Sequence, residues 1–325
     1  METLDTHLIS NADFILALAS ERKDFEVKTN NKGISYYNVA AGFDIETSSF
    51  YIADVKNALM YEWTFGIGYL ANGEFRRLKT YGRTWEEWKC FIGAVSKILH
   101  LDSDYRLVVY VHNLPYEWQW MRKHFVWDKV FFLDIRKPVY AVTNFGVEFR
   151  CSLKLSNKSL ANTAKDLLKY KAKKMVGDLD YSLIRTPRTP LSQTELGYCE
   201  ADIDVILCYI QEKIERDGDI TKIPLTNTGY VRRYCKDACF RKSEEEEGQI
   251  HQDAESDEEF DIEPSGVSRT ERMLSRRIYP CQCSPSRDDP YESWFVRLFE
   301  FLSGVDDSVS VSDGKGRLSR YSNNF

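Results

Sequence analysis

No stretch of this 325-residue chain approaches the roughly 20 consecutive apolar residues of a membrane helix. The first 20 residues hold acids and no long apolar run ahead of a small-residue site, so no secretory leader is expected. Histidine is scarce, with five in the chain, and the eight cysteines follow no regular framework. Cys235-x-x-x-Cys239 and Cys281-x-Cys283 lack histidines at ligand spacing, which argues against a zinc site. A reducing cytoplasm is the expected compartment. No internal repeat is visible. A strong charge of one sign is also lacking overall: the formal net charge is -6. That average hides an asymmetry. Residues 244–325 carry 19 acidic and 9 basic side chains, which leaves the first 243 residues about four charges positive. A mildly basic body suits a polyanionic partner.

What is present is aromatic bulk, 14% of residues, in a pattern that alternates between strand and helix periods. Residues 38–48 read as a strand running into a polar turn at Thr47-Ser48-Ser49. Residues 62–70 read as its neighbour, 71–73 as a turn and 74–81 as a returning strand. Trp85, Trp88, Phe91, Ile92, Val95 and Leu99 then fall at three- and four-residue spacings, predicting an amphipathic helix over 84–99 capped by Thr84. Residues 105–111 form a continuous apolar run, as in a central buried strand. A helix over 116–125, a hairpin or meander over 129–155 and a helix over 159–170 follow. The clearest helix is 192–216, opened by a Ser192/Glu195 capping box and followed by Gly218. This order predicts a mixed α/β layer domain ending near residue 217.

Three carboxylate patterns sit on these elements. Asp44 and Glu46, two apart on a strand, point to one face. Read alone, they fit a solvated polar face. Asn113-Leu114-Pro115-Tyr116-Glu117 follows the buried strand; Asn113 can cap the next helix and Glu117 suits its first turn, so a structural role is sufficient. Tyr198 and Asp202 share a face of the long helix, and a carboxylate beside the apolar Ile203, Ile206 and Leu207 is costly unless paired or metal-bound. Either Asp202 or Asp204 is the inward acid.

Taken together, in the order strand, strand-to-helix, late helix, the patterns resemble the three exonuclease motifs of family-B DNA polymerases. The likeness covers roughly residues 40–235 and is closest to the protein-primed phage group, through His112-Asn113. It implies a ribonuclease-H-like α/β fold, a mixed sheet flanked by helices, in a DNA polymerase fragment from a phage or prophage gene acting in the host cytosol. It implies that Asp44, Glu46 and Asp202 hold two Mg²⁺ or Mn²⁺ ions, that Glu117 completes the acidic set, and that Tyr198 orients the attacking water. Asn113 and Tyr116 would contact the primer terminus. Ser159-Leu160 resembles the pair that touches single-stranded DNA, and Tyr181 lies in Gly177-Asp178-Leu179-Asp180-Tyr181, a stretch of the same group. DNA and nucleotide are the implied partners, with a terminal protein if the parent is protein-primed; no membrane is expected. The chain departs from the family twice. Glu117 stands where Asp is usual, one methylene longer. Val176 stands where a catalytic Lys is usual, with Lys173 and Lys174 nearby.

The resulting division is a lead-in over 1–40, an exonuclease domain over 41–220, the start of a polymerase region over 221–243, carried by the family-like Pro224–Arg233 stretch, and an acidic, disordered or poorly folded tail over 244–325. One allowed coding of residues 277–283, shifted by a base, reads Gly-Tyr-Thr-His-Ala-Asn. Residues 294–303 treated alike read Gly-Ser-Phe-Asp-Phe-Ser-Ser-Ser-Tyr-Pro. Both resemble polymerase motifs, in the right order, so a frameshift near residues 247–268 is expected, leaving no polymerase activity. A stop in the shifted frame of the coding DNA would sink that idea. The competing readings are a stand-alone nuclease on RNA or DNA, and a nucleic-acid-binding module that has lost its chemistry through Glu117 and Val176.

Overall fold

The protein is described by a computed structural model over residues 7–175, 180 and 183–247, with side chains described as far as residue 239. Its elements are α1 (Asn11–Glu21), β1 (Val27–Thr29), β2 (Ser35–Tyr37), β3 (Ala40–Ile52), β4 (Val55–Ala71), β5 (Glu74–Gly82) and α2 (Trp85–Ile98). Then come β6 (Tyr105–Val111), α3 (Leu114–Met121), β7 (Trp127–Asp134), β8 (Lys137–Thr143), β9 (Val147–Cys151), α4 (Ser152–Ser156), α5 (Leu160–Lys165), α6 (Gln193–Asp217) and α7 (Asn227–Glu247).

The main path of the sheet runs β5-β4-β3-β6-β9-β8-β7, and the short β1-β2 pair joins it beside β6. Strands β3, β6 and β9 are parallel neighbours, while β4 and β5 fold back antiparallel on one side and β8 and β7 on the other. Three meandering strands followed by two parallel to the first is the ribonuclease-H-like order expected from the sequence.

Alternation along β3 and β4 divides the core. Phe43, Trp63 and Phe65 face α1 and α2, where Phe14, Trp88 and Phe91 complete an aromatic block. Phe43 stacks on Trp88 at 4.2 Å, and Phe14 meets Phe65 edge-on at 5.7 Å. Each such pair contributes roughly 0.5–1.5 kcal/mol beyond its burial. The opposite face receives α6. There Gly42 and Gly66 are register partners, and a Cβ on Gly66 would stand 2.7 Å from Ile203 Cγ2 and 2.9 Å from Leu207 Cδ1. Two adjacent glycines therefore let α6 lie directly on β3 and β4.

The expected Thr84 cap and Ser192/Glu195 capping box both form, and Thr84 proves to be half of a second capping box. Thr84 Oγ1 accepts from the Glu87 amide at 3.1 Å while Glu87 accepts from the Thr84 amide at 2.9 Å. Ser192 and Glu195 do the same for α6, which ends at Gly218 with φ of 97°. Residues 7–39, set apart above as a lead-in, belong to the fold: α1 buries Phe14, Ile15 and Leu18. The turn expected at Thr47–Ser49 is not there. The strand continues to Ile52 because β4 extends to pair with it, and a bulge between Glu46 and Thr47 takes up the irregularity. The helix expected over 159–170 stops at Lys165, and that over 116–125 stops at Met121. The acidic run begins inside α7, which continues to Glu247; the remainder of the tail lies outside the described residues. Among the described residues no helix is long and apolar enough to cross a membrane.

Candidate metal centre

The carboxylates sit where the parallel part of the sheet ends. Strand β6 pairs its last residue, Val111, with Phe43, so Asp44 and Glu46 lie just past its carboxyl end. There β6 turns into α3 through Asn113, whose left-handed φ of 84° suits asparagine. Asn113 makes no side-chain cap bond, contrary to its expected structural role; Pro115 in the first turn makes such a cap less necessary. The turn projects Glu117 inward, to 3% exposure. From the other side α6, seated on the glycine pair, brings Asp202 down at 4% exposure.

One oxygen each of Asp44, Glu46 and Asp202 lies within 4.8 Å of the others. The choice left open between Asp202 and Asp204 is settled: Asp204 turns to the other flank of the helix, where Lys79 Nζ donates to it at 2.9 Å and Arg77 at 2.9 Å. Lys174 ion-pairs with Asp202 Oδ2, donates to the Tyr198 hydroxyl at 3.2 Å and sits 4.8 Å over the Tyr198 ring. Of the two lysines near Val176, it is therefore Lys174 that reaches the acids. Tyr116 hydrogen-bonds through its hydroxyl to Thr47 Oγ1, beside Glu46 on β3, and leaves 41% of its surface exposed.

The electrostatics are those of an under-compensated cluster. Burial, then the charges of Asp202 and Glu46, hold the Asp44 carboxyl well above the usual range. Burial, then Glu62 and Asp202, push Glu46 up to about 8. Burial and then Asp44 raise Glu117 well above its ordinary value. Burial raises Asp202 as well, against the opposing Lys174 ammonium. Carboxylates this close ionise together only when a cation joins them. Two buried oxygens, Glu117 Oε2 and Asp202 Oδ1, have no hydrogen-bond partner. An all-oxygen set with orphaned acceptors suits a hard divalent ion such as Mg²⁺ or Mn²⁺ and not zinc. Of the cysteines raised as a zinc possibility, Cys235 and Cys239 are exposed on α7, and Cys281 and Cys283 lie outside the described residues.

The other expected site residues divide. The Ser159 hydroxyl accepts from the Asn162 amide as the α5 cap, and Leu160 is packed in the core with α6. Both are committed to structure. Tyr181 lies outside the described residues. Two residues near the acids had not been singled out. Glu62 is buried on β4 opposite Glu46; counting by twos along the pair would have found it. Arg185 is buried, donating through its backbone to Ser48 Oγ at 2.9 Å and through its guanidinium to the Asp180 carbonyl at 2.8 Å and to Glu195. No local pattern marks it, because its partners come from three separate segments.

No protein-family profile and no curated protein matches the chain. Solved structures of phi29 DNA polymerase do. The complex with primer-template DNA and incoming nucleotides is 15% identical over 55% of this chain and 31% of that one, with a TM-score of 0.41. The complex with single-stranded DNA is 16% identical over 56% of this chain and 33% of that one, with a TM-score of 0.39. The chain thus matches about a third of the length of those polymerases.

Proposed function

We propose that residues 41–220 form a metal-dependent 3′→5′ exonuclease acting on a DNA 3′ end, in a fragment of a family-B DNA polymerase. The observation that carries this reading is the meeting of Asp44, Glu46 and Asp202, from two elements 156 or more residues apart in sequence, beside two buried oxygens with no partner. Nothing in the core requires acids there, and leaving them uncompensated is costly.

Asp44, Glu46 and Asp202 would hold two Mg²⁺ or Mn²⁺ ions, with Glu117 facing the same recess. Such ions, when bound, activate a water and offset charge on the leaving 3′ oxygen. The chain's own groups supply the rest. Tyr198, its hydroxyl held by Lys174, orients the water. Lys174 holds Asp202 and takes the role that Val176 cannot. Asn113, free of cap duty, and Tyr116, exposed at the lip, receive the terminal nucleotide. Ser159 and Leu160 act by fixing α5 beside the path of the strand, and Tyr181 is a further DNA-contacting residue. The mildly positive charge of the first 243 residues favours a nucleic-acid strand.

A 5′-labelled single-stranded DNA incubated with the full chain and Mg²⁺ or Mn²⁺ should shorten one nucleotide at a time from its 3′ end and stop on chelation. Internal cuts, or shortening that survives a chelator, would contradict the proposal.

A further inference from the structure

Glu62 is a fifth acid at this centre, and neither the family's motifs nor any need of the core accounts for it. It is 1% exposed on β4. The register places it opposite Glu46, with Thr64 opposite Asp44, so a two-by-two block of side chains faces α6. Residues directly opposed in an antiparallel pair have Cβ atoms about 4.5–5.5 Å apart, and like charges there repel. The Glu62 carboxyl accepts from Thr64 Oγ1 and from the Cys199 thiol. Both donors are neutral. The ammonium and guanidinium groups that enter this region hydrogen-bond elsewhere: Lys174 to Asp202, Arg185 to Glu195, and Arg83, whose charge acts on Glu62, to the Tyr61, Thr186 and Thr189 carbonyls. A buried carboxylate held only by neutral donors, against another acid, calls for a cation. At the same centre Glu117 Oε2 and Asp202 Oδ1 have no hydrogen-bond partner.

Charge decides how many. Fully ionised, Asp44, Glu46, Asp202 and Glu117 with Lys174 and Arg83 together carry −2. Glu62 brings the set to −3, nearer to the four charges that two divalent ions supply. We propose that Glu62 is a positioning and charge-balancing residue behind Glu46 that sets the affinity of the centre for its second divalent cation. This rests on the metal-centre reading above. Glu62 acts through Glu46 and through the local field, not as a ligand, because it is not among the acids whose oxygens converge.

The test is Mn²⁺ titration of the full chain, followed by electron paramagnetic resonance and calorimetry, with Glu62→Gln and Thr64→Val as variants. The wild-type chain should bind two Mn²⁺. Glu62→Gln keeps the shape and should bind the first within about threefold, with the second weakened about tenfold or more, as expected for removal of one nearby charge. Thr64→Val leaves the charge and should keep the second ion within about threefold. The metal-free melting temperature of Glu62→Gln should not fall. Unchanged binding of both ions by Glu62→Gln would overturn the inference. So would loss of both ions together with a lowered metal-free melting temperature, which would make Glu62 a structural residue. Failure of the parent reading looks different: the wild-type chain would bind no Mn²⁺, or would bind it undisturbed by Asp44→Ala.

Discussion

Loading the acidic centre with Mg²⁺ or Mn²⁺ should expel protons, and the number should depend on pH. Glu46 is pushed up to about 8, by burial first and then by Glu62 and Asp202. At pH 7 the metal-free centre therefore keeps that carboxyl mostly protonated. Asp44 and Glu117 are also held well above the carboxylate range. Ligands bind a cation only when ionised, so each proton displaced makes apparent affinity rise about tenfold per pH unit below the ligand's own value. One such proton predicts about tenfold tighter binding between pH 6 and 7, and two predict about a hundredfold. The shift of Glu46 corresponds to several kcal/mol at ~1.4 kcal/mol per unit, an upper bound because solvent reaches the recess. The effect on stability has a definite sign. A carboxyl raised in the folded state makes the folded chain bind more protons than the unfolded one. Its contribution is present below the ordinary value near 4.5 and is lost as pH rises through about 8. Metal-free protein should accordingly lose stability between those limits, and cation should restore it. Calorimetry in two buffers of different ionisation heat measures the protons directly. At least one should be released per chain at pH 7, and fewer as pH rises. Saturable binding at pH 7 with no proton release would refute the reasoning.

Gly66→Ala should destabilise the fold by about 1–3 kcal/mol in urea unfolding, because the new methyl meets Ile203 and Leu207 below 3.0 Å, and it should weaken Mn²⁺ binding by lifting Asp202 away. Gly42→Ala, whose nearest contact is 3.0 Å, should cost less. Lys174→Met should slow nucleotide release by about a hundredfold in single-turnover assays, since it removes the group that holds Asp202 and the Tyr198 hydroxyl. Mn²⁺ binding in that variant should tighten, because a positive charge beside Asp202 is removed. Glu117→Gln removes an acid with an unpartnered buried oxygen; above pH 8 it should raise the metal-free melting temperature while weakening cation binding.

Much of the architecture could be read before any coordinates, because the signals are local. Thr84 with Glu87, and Ser192 with Glu195, announce helix starts by chemistry that involves four residues. The continuous apolar run of β6 announces a strand covered on both faces. The carboxylates were legible for a different reason: their order along the chain carries information that no one motif holds alone. What escaped depends on pairing. Thr47-Ser48-Ser49 reads as a turn, but polar residues are accepted in a strand when a neighbour long enough pairs with them, as β4 does. Asp202 and Asp204 both sit on α6, and only the seating of that helix on Gly42 and Gly66 decides which one faces the acids. Glu62 becomes visible only through the β3-β4 register. Arg185 draws on Ser48, Asp180 and Glu195, a set no spacing rule predicts.

The most direct measurement is release of labelled nucleotide from a 3′-labelled single-stranded DNA by the full chain, with Mg²⁺ and with Mn²⁺, compared with Asp44→Ala and Asp202→Ala. The wild-type chain should release nucleotide with at least one of the two ions, and either substitution should abolish release while the chain still folds, as judged by circular dichroism. Release that survives both substitutions would contradict the assignment of the site, and absence of release from the wild-type chain with either ion would contradict the assignment of the function.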